Sequence, residues 1–367
     1  MFVARILLLF SVLPGNPLLA QSAAPRHASV NQIDRSAVKV ADGVYVIHHP
    51  DAPTGFPQGN TTVVVGSRGV LVVDSNYLPS SAREDIAQIS RWTDKPVTHL
   101  VNTHWHYDHT FGNGVYSAVF PGIEIIAHAE TATQMAGWNA AWFQEYPARL
   151  TTNKEQLASG INAAGDTLSS TERERLRRLV ETRERVWSEF SNYRVTPPTL
   201  VFDRDLTVDL GDRIVQIKYL GRGNTVGDAI VFVPDAKVVV VGDLLAHPVP
   251  YLAGGHPGEL VQILRTISRM DASIVVPGHG AVQRDMTFLN SVADFVHLVV
   301  THVDREFFRL GTSWDNVNRM RESVERAIDM PAWRQRFTGG HAENVAFFDG
   351  YSFPELVKAA FAVAWGR

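Results

Sequence analysis

The hexapeptide His104-Trp105-His106-Tyr107-Asp108-His109 places three imidazoles and one carboxylate within a span that can surround one or two cations. Imidazole nitrogen and carboxylate oxygen are donors that zinc accepts at about 2.0–2.2 Å. A loop leaving a strand can turn alternate side chains inward, so H-x-H-x-D-H can converge on one point. Two histidines in a polar loop arise by chance, but this spacing reads as metal binding, with hydrolysis as the chemistry such a centre supports.

Two distant segments have the same character. Val238-Val239-Val240-Val241-Gly242-Asp243 is an apolar run that closes on Gly-Asp, and Ile274-Val275-Val276-Pro277-Gly278-His279-Gly280 closes on Gly-His-Gly. In each, an ionisable group stands where an apolar strand should open into a tight turn. Taken singly, they also fit a capping aspartate or a turn histidine. Beside the first motif they read as further arms of one site.

The other histidines read differently. His99 and His128 suit packing or hydrogen bonding. His247 and His256 flank a Pro/Gly-rich loop, Pro248 to Pro257, that could border the pocket. His341 reaches it only if the C-terminal helices fold back.

The elements that must position these groups are legible as short apolar runs. Val44 to Ile47, Thr61 to Val65, Gly69 to Asp74 and Val97 to Val101 read as strands, the last leading directly into Asn102-Thr103-His104. Ser80 to Trp92 reads as a helix. Further strands are expected at Ile123 to Ala127, Leu206 to Val208, Ile214 to Tyr219, Ala229 to Val233, Lys237 to Val241 and Ser273 to Val276, with a helix at Leu260 to Met270. Strands alternating with helices indicate a layered α/β domain whose site lies at the loop ends.

Residues 131–197 break this rhythm. They are rich in Ala, Glu and Arg, and Ser169-Ser170-Thr171-Glu172 has the form of a capping box before apolar residues at helical spacing. This reads as a helical insertion beside the site. Its Trp138, Trp142, Phe143 and Tyr146 either face substrate or pack the insertion onto the core. From Phe288 onward the tail also reads as helical, broken by Pro331 and by Gly339-Gly340.

Composition limits the function classes. Of 367 residues, 45% are hydrophobic and 20% charged, and the net charge of −4 offers no pull toward nucleic acid. The run Ile6 to Leu13 behind Arg5, with Pro14-Gly15 and Ala20 after it, reads as a signal peptide spanning residues 1–20. It is too short and too interrupted for a stable membrane anchor. A periplasmic or secreted protein is expected. With no cysteine, ligands must come from His, Asp, Glu or Asn, which points to zinc rather than a thiolate site.

Together these motifs resemble the metallo-β-lactamase superfamily, whose pattern comprises an H-x-H-x-D-H loop, a G-x-x-H-T-x-G-D turn, a Gly-Asp and a Gly-His-Gly. The resemblance covers about residues 37–285. It implies an α/β fold, a four-layer αββα sandwich, here with a helical insertion at 131–197 in a domain of residues 29–290 and a helical C-terminal extension at 291–367. It implies His104 and His106 at a first metal position, Asp108, His109 and His279 at a second, Asp243 bridging them, and Asp74 supporting the metal loop. Asp108 and Asp243 are then the candidate catalytic carboxylates, orienting the nucleophile or passing its proton.

One position departs from the pattern. The turn reads Gly221-Arg222-Gly223-Asn224-Thr225-Val226-Gly227-Asp228, so Asn224 stands where the family has histidine. An amide oxygen is a weak zinc donor beside imidazole. Either one zinc ion is tightly held and the first position is weak, or Asn224 only tightens the turn and two ions bind. The expected substrate is a small molecule bearing a lactam, ester, thioester or lactone. Competing expectations are an iron-dependent sulfur dioxygenase-like enzyme, which the loss of that histidine disfavours, and a non-catalytic metal-dependent binding protein.

Overall fold

The computed structural model describes residues 35–191 and 193–366, so the leader expected at residues 1–20 lies outside the described residues. Two sheets face each other. In the first, β1 (Ser36–Ala41), β2 (Val44–His48), β3 (Thr61–Val65), β4 (Val70–Val73), β5 (Val97–Val101), β6 (Glu124–His128) and β7 (Leu200–Phe202) lie side by side in chain order. Pairing is antiparallel up to β4 and parallel from β4 to β7. The second sheet has the order β12 (Ile274–His279), β11 (Val238–Ala246), β10 (Ala229–Val233), β9 (Ile214–Tyr219), β8 (Asp205–Asp209). Only its β11–β12 pair is parallel.

Strand periodicity explains the layers, because successive side chains point to opposite faces. Val44, Val46, Val64, Leu71 and Val73 meet Val215, Ile217, Val231, Val238 and Val240 between the sheets. Their neighbours Ile47, Val63, Val70 and Val72 instead pack with Ala82 and Ile89 of the helix Pro79–Ile89 and with Tyr116 of the helix Asn113–Val119. Val239 and Val241 turn outward to the helices Pro257–Ile267 and Thr287–Leu310. Helix, sheet, sheet, helix is the resulting order. Each fully buried Val or Leu side chain contributes about 1.5–3 kcal/mol, so three continuous apolar layers hold the strand ends firmly where the site is built.

The insertion lies between β6 and β7. Ser169 and Glu172 form the expected reciprocal capping box at the start of the helix Ser170–Glu189, which packs against the helix Ala140–Ser159. Aromatic residues of the insertion make ring contacts with the domain, and among Trp138, Trp142, Phe143 and Tyr146 only Trp142 is buried. Trp142 is buried among Tyr77, Phe111, Tyr146 and Phe190, and Phe143 stacks on Tyr193 at 5.4 Å. Trp138 stacks on Trp105 at 5.4 Å. They fasten the insertion to the loops around the site.

The C-terminal region is helical from Thr287, in line with the helical reading from Phe288 onward. As expected it breaks at Gly339-Gly340, and also at Ile328 and Asp329, just ahead of Pro331. That proline sits in the first turn of the helix Met330–Thr338, whose N-cap Asp329 accepts from Ala332 N–H, and a proline there sacrifices no intrahelical hydrogen bond. Among the described residues, no helix is long and apolar enough to cross a membrane.

Candidate metal centre

Thr103, the residue before His104, is the pivot of the site. Its N–H and hydroxyl donate to Asp74 Oδ1 and Oδ2, each at 2.8 Å, and its carbonyl accepts from Ala229 N–H at the start of β10. The loop after β5 is thereby tied both to the end of β4 and to the second sheet. Asp74 adopts a positive φ of 62°, a conformation aspartate tolerates better than most residues. That twist points its carboxylate back under the loop. Oδ2 also lies 2.8 Å from His109 Nδ1, so the Nδ1 proton is directed at Asp74 and Nε2 faces the cluster.

Asp243 does not end its strand as the sequence suggested. β11 continues to Ala246, and its register with β12 shifts on both sides of Gly242. Gly242 has φ 52° and passes so close to Thr103 that a Cβ would lie 2.6 Å from its Oγ1. This irregularity is a bulge that aims Asp243 at the histidines. His279 is the last residue of β12, held by Asn60, which donates its side-chain amide to the carbonyls of Pro277 and Gly280 at 2.9 Å and its backbone N–H to Gly278.

Six of the expected residues converge in two groups, His104 with His106 and Asp243, and Asp108 with His109 and His279. His104 Nε2 lies 3.0 Å from His106 Nδ1 and 3.7 Å from Asp243 Oδ2. His109 Nε2 lies 3.2 Å from His279 Nε2 and 3.3 Å from Asp243 Oδ1, and His279 Nε2 lies 3.2 Å from Asp108 Oδ2. Donors around a tetrahedral ion at about 2.0–2.1 Å stand about 3.3–3.4 Å apart. The spacing therefore fits metal coordination, and Asp243 offers one oxygen to each group.

The electrostatics agree. Burial opposes charge throughout, yet Asp243 is held well below the usual carboxylate range by His279, His109 and His104, and Asp108 is lowered by His109 and His279. Against burial, Asp243, Asp108 and Asp74 hold His109 well above its ordinary value, and Asp243 and Asp108 raise His279 to about 9. Burial pushes His104 and His106 down, leaving them neutral donors. A cation bound among these groups would compete with protons for the imidazole nitrogens, so metal binding should release protons.

Asn224 is buried in the turn between β9 and β10, and neither its Oδ1 nor its Nδ2 has a hydrogen-bond partner. Asp228 shapes that turn by accepting from Gly223 and Thr225 N–H. Other histidines stay apart from the two groups. His128 stacks on Tyr219 and caps the helix Ala129–Gln134, His99 contacts Thr98 and Glu124, His247 packs on Phe288, and His341 is exposed.

Above the cluster lies an open cleft. Phe56, Tyr107, Val249, Tyr251 and Phe347 line it beside His106, Asp108, Asp243 and His279. The loop after Asp243 does border the pocket, through Val249 and Tyr251 rather than its histidines. Sequence reasoning missed Asn60, Thr103, Tyr251 and Phe347. Asn60 contacts carbonyls 217 and 220 positions away, a separation no local pattern reveals.

An αββα sandwich with paired His/Asp groups at the sheet ends defines a class of proteins built to hold metal ions. The model of the metallo-beta-lactamase superfamily matches residues 54–279, and the chain belongs to that superfamily. Among solved structures it is similar to a metallo-beta-lactamase from Pontibacter korlensis, at 17% identity and a TM-score of 0.51 over 72% of this chain and 99% of that one. It is also similar to a double mutant of the sec-alkyl sulfatase PisA1, at 12% identity and a TM-score of 0.60. That match covers 92% of this chain and 51% of the sulfatase chain, so it extends into helical regions beyond the sandwich. At these identities the likeness is one of fold.

Proposed function

We propose that the protein is an exported, zinc-dependent hydrolase acting on a small-molecule lactam, ester, thioester or lactone. The observation that carries this reading is the Asp243 carboxylate, shared between two histidine groups at the floor of an open cleft. Histidine nitrogen and carboxylate oxygen, with no cysteine in the chain, suit zinc. A divalent ion held there supplies a Lewis acid and lowers the pKa of coordinated water to about 7.

The chain's own groups do the rest. Asp108 and Asp243, both buried and both bordering the cleft, orient the attacking water and accept or pass its proton. Asp74 holds His109 in one tautomer. The leader pattern supports a periplasmic or secreted location, where a β-lactam would be met.

Elemental analysis of the purified protein, alongside turnover of a chromogenic cephalosporin, a lactone and a thioester, tests the reading. Bound zinc is expected, with activity lost on chelation and restored by zinc. Asp243→Ala and His279→Ala should lose metal and turnover together. A metal-free variant retaining full activity would refute the proposal.

A sulfate ester is a second candidate substrate, since the sec-alkyl sulfatase PisA1 is built on a fold that this chain shares. Including an alkyl sulfate in the same panel decides between them.

A further inference from the structure

The cleft is built from parts that are far apart in the chain. Phe56 comes from the loop before β3, Tyr107 opens the short helix Tyr107–Thr110, and Val249 and Tyr251 follow β11. Phe347 ends the helix Ala342–Phe347, in the C-terminal region. Phe56 and Tyr107 stack at 5.1 Å between ring centroids on one side. On the other, Phe347 lies 5.4 Å from the ring of Tyr351, whose hydroxyl is 3.5 Å from that of Tyr251.

The charges in this cleft are confined to its floor. The ionisable groups among its described lining residues are the metal-group residues His106, Asp108, Asp243 and His279, with the two tyrosines, and no lysine or arginine lines it. Arg149, the cation acting on the Tyr107 wall, is paired with Glu145 at 3.0 Å, so a second anionic group on a substrate would find no lysine or arginine among the described lining residues, and transferring it from water would be unfavourable. An apolar group, by contrast, would be covered on both sides.

We propose that the C-terminal helical region completes a specificity pocket for an uncharged apolar substituent, held between Phe56 and Tyr107 on one side and Phe347, Val249 and Tyr251 on the other. The scissile group then sits on the floor and the apolar group points up the cleft. Phe347 touches that group directly, and Tyr351 acts as a positioning residue for Tyr251. This rests on the metal-dependent reading above but adds a selection that the sandwich alone does not make. The helical tail is part of the substrate site.

The test is binding of n-alkyl hydroxamates, from acetyl to octanoyl, to the zinc-loaded full-length protein by calorimetry, so that no turnover is needed. A hydroxamate anchors at the metal, and the chain samples the walls. Affinity should rise about fourfold per added methylene until the walls are filled, the gain that burying a methylene gives. An ω-carboxylate on the longest chain should abolish the gain. Phe347→Ala should flatten the chain-length dependence. Since Phe347 is buried, Phe347→Leu and the half-buried Phe56→Ala serve as milder variants, expected to reduce the slope in a folded protein. Hydroxamates that bind with no dependence on length, or with the wild-type slope in all three variants, overturn this inference and leave the metal reading intact. Failure of every hydroxamate to bind, with no zinc by elemental analysis, overturns the metal reading and this inference with it.

Discussion

Asp74 Oδ2 lies 2.8 Å from His109 Nδ1, and the same carboxylate binds the N–H and hydroxyl of Thr103. One buried side chain therefore sets both the orientation of a metal-facing imidazole and the course of the loop that carries His104. Replacing it with asparagine preserves the shape but removes the charge that favours Nδ1 protonation. Asp74→Asn should weaken zinc binding about 10–100-fold. Competition with a chromophoric chelator measures it, and an unchanged affinity would show the contact to be incidental.

Asn224 presents a buried amide with both polar atoms unpartnered, in a turn whose following strand is bonded to Thr103. Imidazole is the stronger zinc donor. Asn224→His should therefore raise the zinc content from one ion toward two, or tighten the weaker of two steps in a metal titration. An unaltered content and titration would mean that the amide was never limiting.

Asp228 gives a pH signature. Burial raises its carboxyl to about 6 from an ordinary 3.8, in spite of the hydrogen bonds from Thr225 and Gly223. The unfolded chain ionises first, so the stability associated with the neutral carboxyl is complete below pH 3.8 and is lost as pH rises through about 6. Asp228→Asn stays neutral. Relative to wild type, it should gain about 2–3 kcal/mol between pH 4 and pH 7. Denaturant melts in chelator across that range check it, and a constant difference between the two proteins would refute the shift.

Gly278 is needed for close approach rather than for chain flexibility. A Cβ there would lie 1.9 Å from Asp243 Oδ1 and 2.7 Å from the backbone carbon of Gly242, and neither is free to move far inside the paired strands. Gly278→Ala should lower stability by about 1–3 kcal/mol through overpacking and displace Asp243 enough to reduce bound zinc. Thermal melting and zinc content read the two effects, and a variant unchanged in both would remove this account of the Gly-His-Gly turn.

The sequence carried much of this because its signals were local. His104 to His109, Gly242-Asp243 and Gly278-His279 each combine ligand types with a strand end, and β3, β5, β9 and β10 fall where apolar runs of five or six residues place them. β1 and β7 escaped notice. β1 is largely exposed and β7 has three residues, so neither shows a buried period. The bulge at Gly242 was hidden because its cause is contact with Thr103, well over a hundred positions earlier. Phe347 was hidden in the same way, since an apolar residue in a helical tail looks the same whether it fills a core or lines a cleft.

Trp142 separates packing from recognition within the insertion. Its ring lies 4.7 Å from Tyr146, 4.9 Å from Phe190 and 5.0 Å from Phe111, and it is buried. Phe111 immediately follows the helix Tyr107–Thr110, so this cluster joins the insertion to the segment that contains Asp108 and His109. Removing the ring leaves a cavity under that segment, for which about 3–5 kcal/mol of destabilisation is expected. Because Trp142 is not among the residues lining the cleft, the Trp142→Ala protein that remains folded should keep the wild-type KM and lose kcat only as far as the short helix shifts. Urea melts and steady-state kinetics on one substrate measure both. A large rise in KM with unchanged stability would place Trp142 against substrate instead and would overturn the packing role assigned to the insertion's aromatic residues.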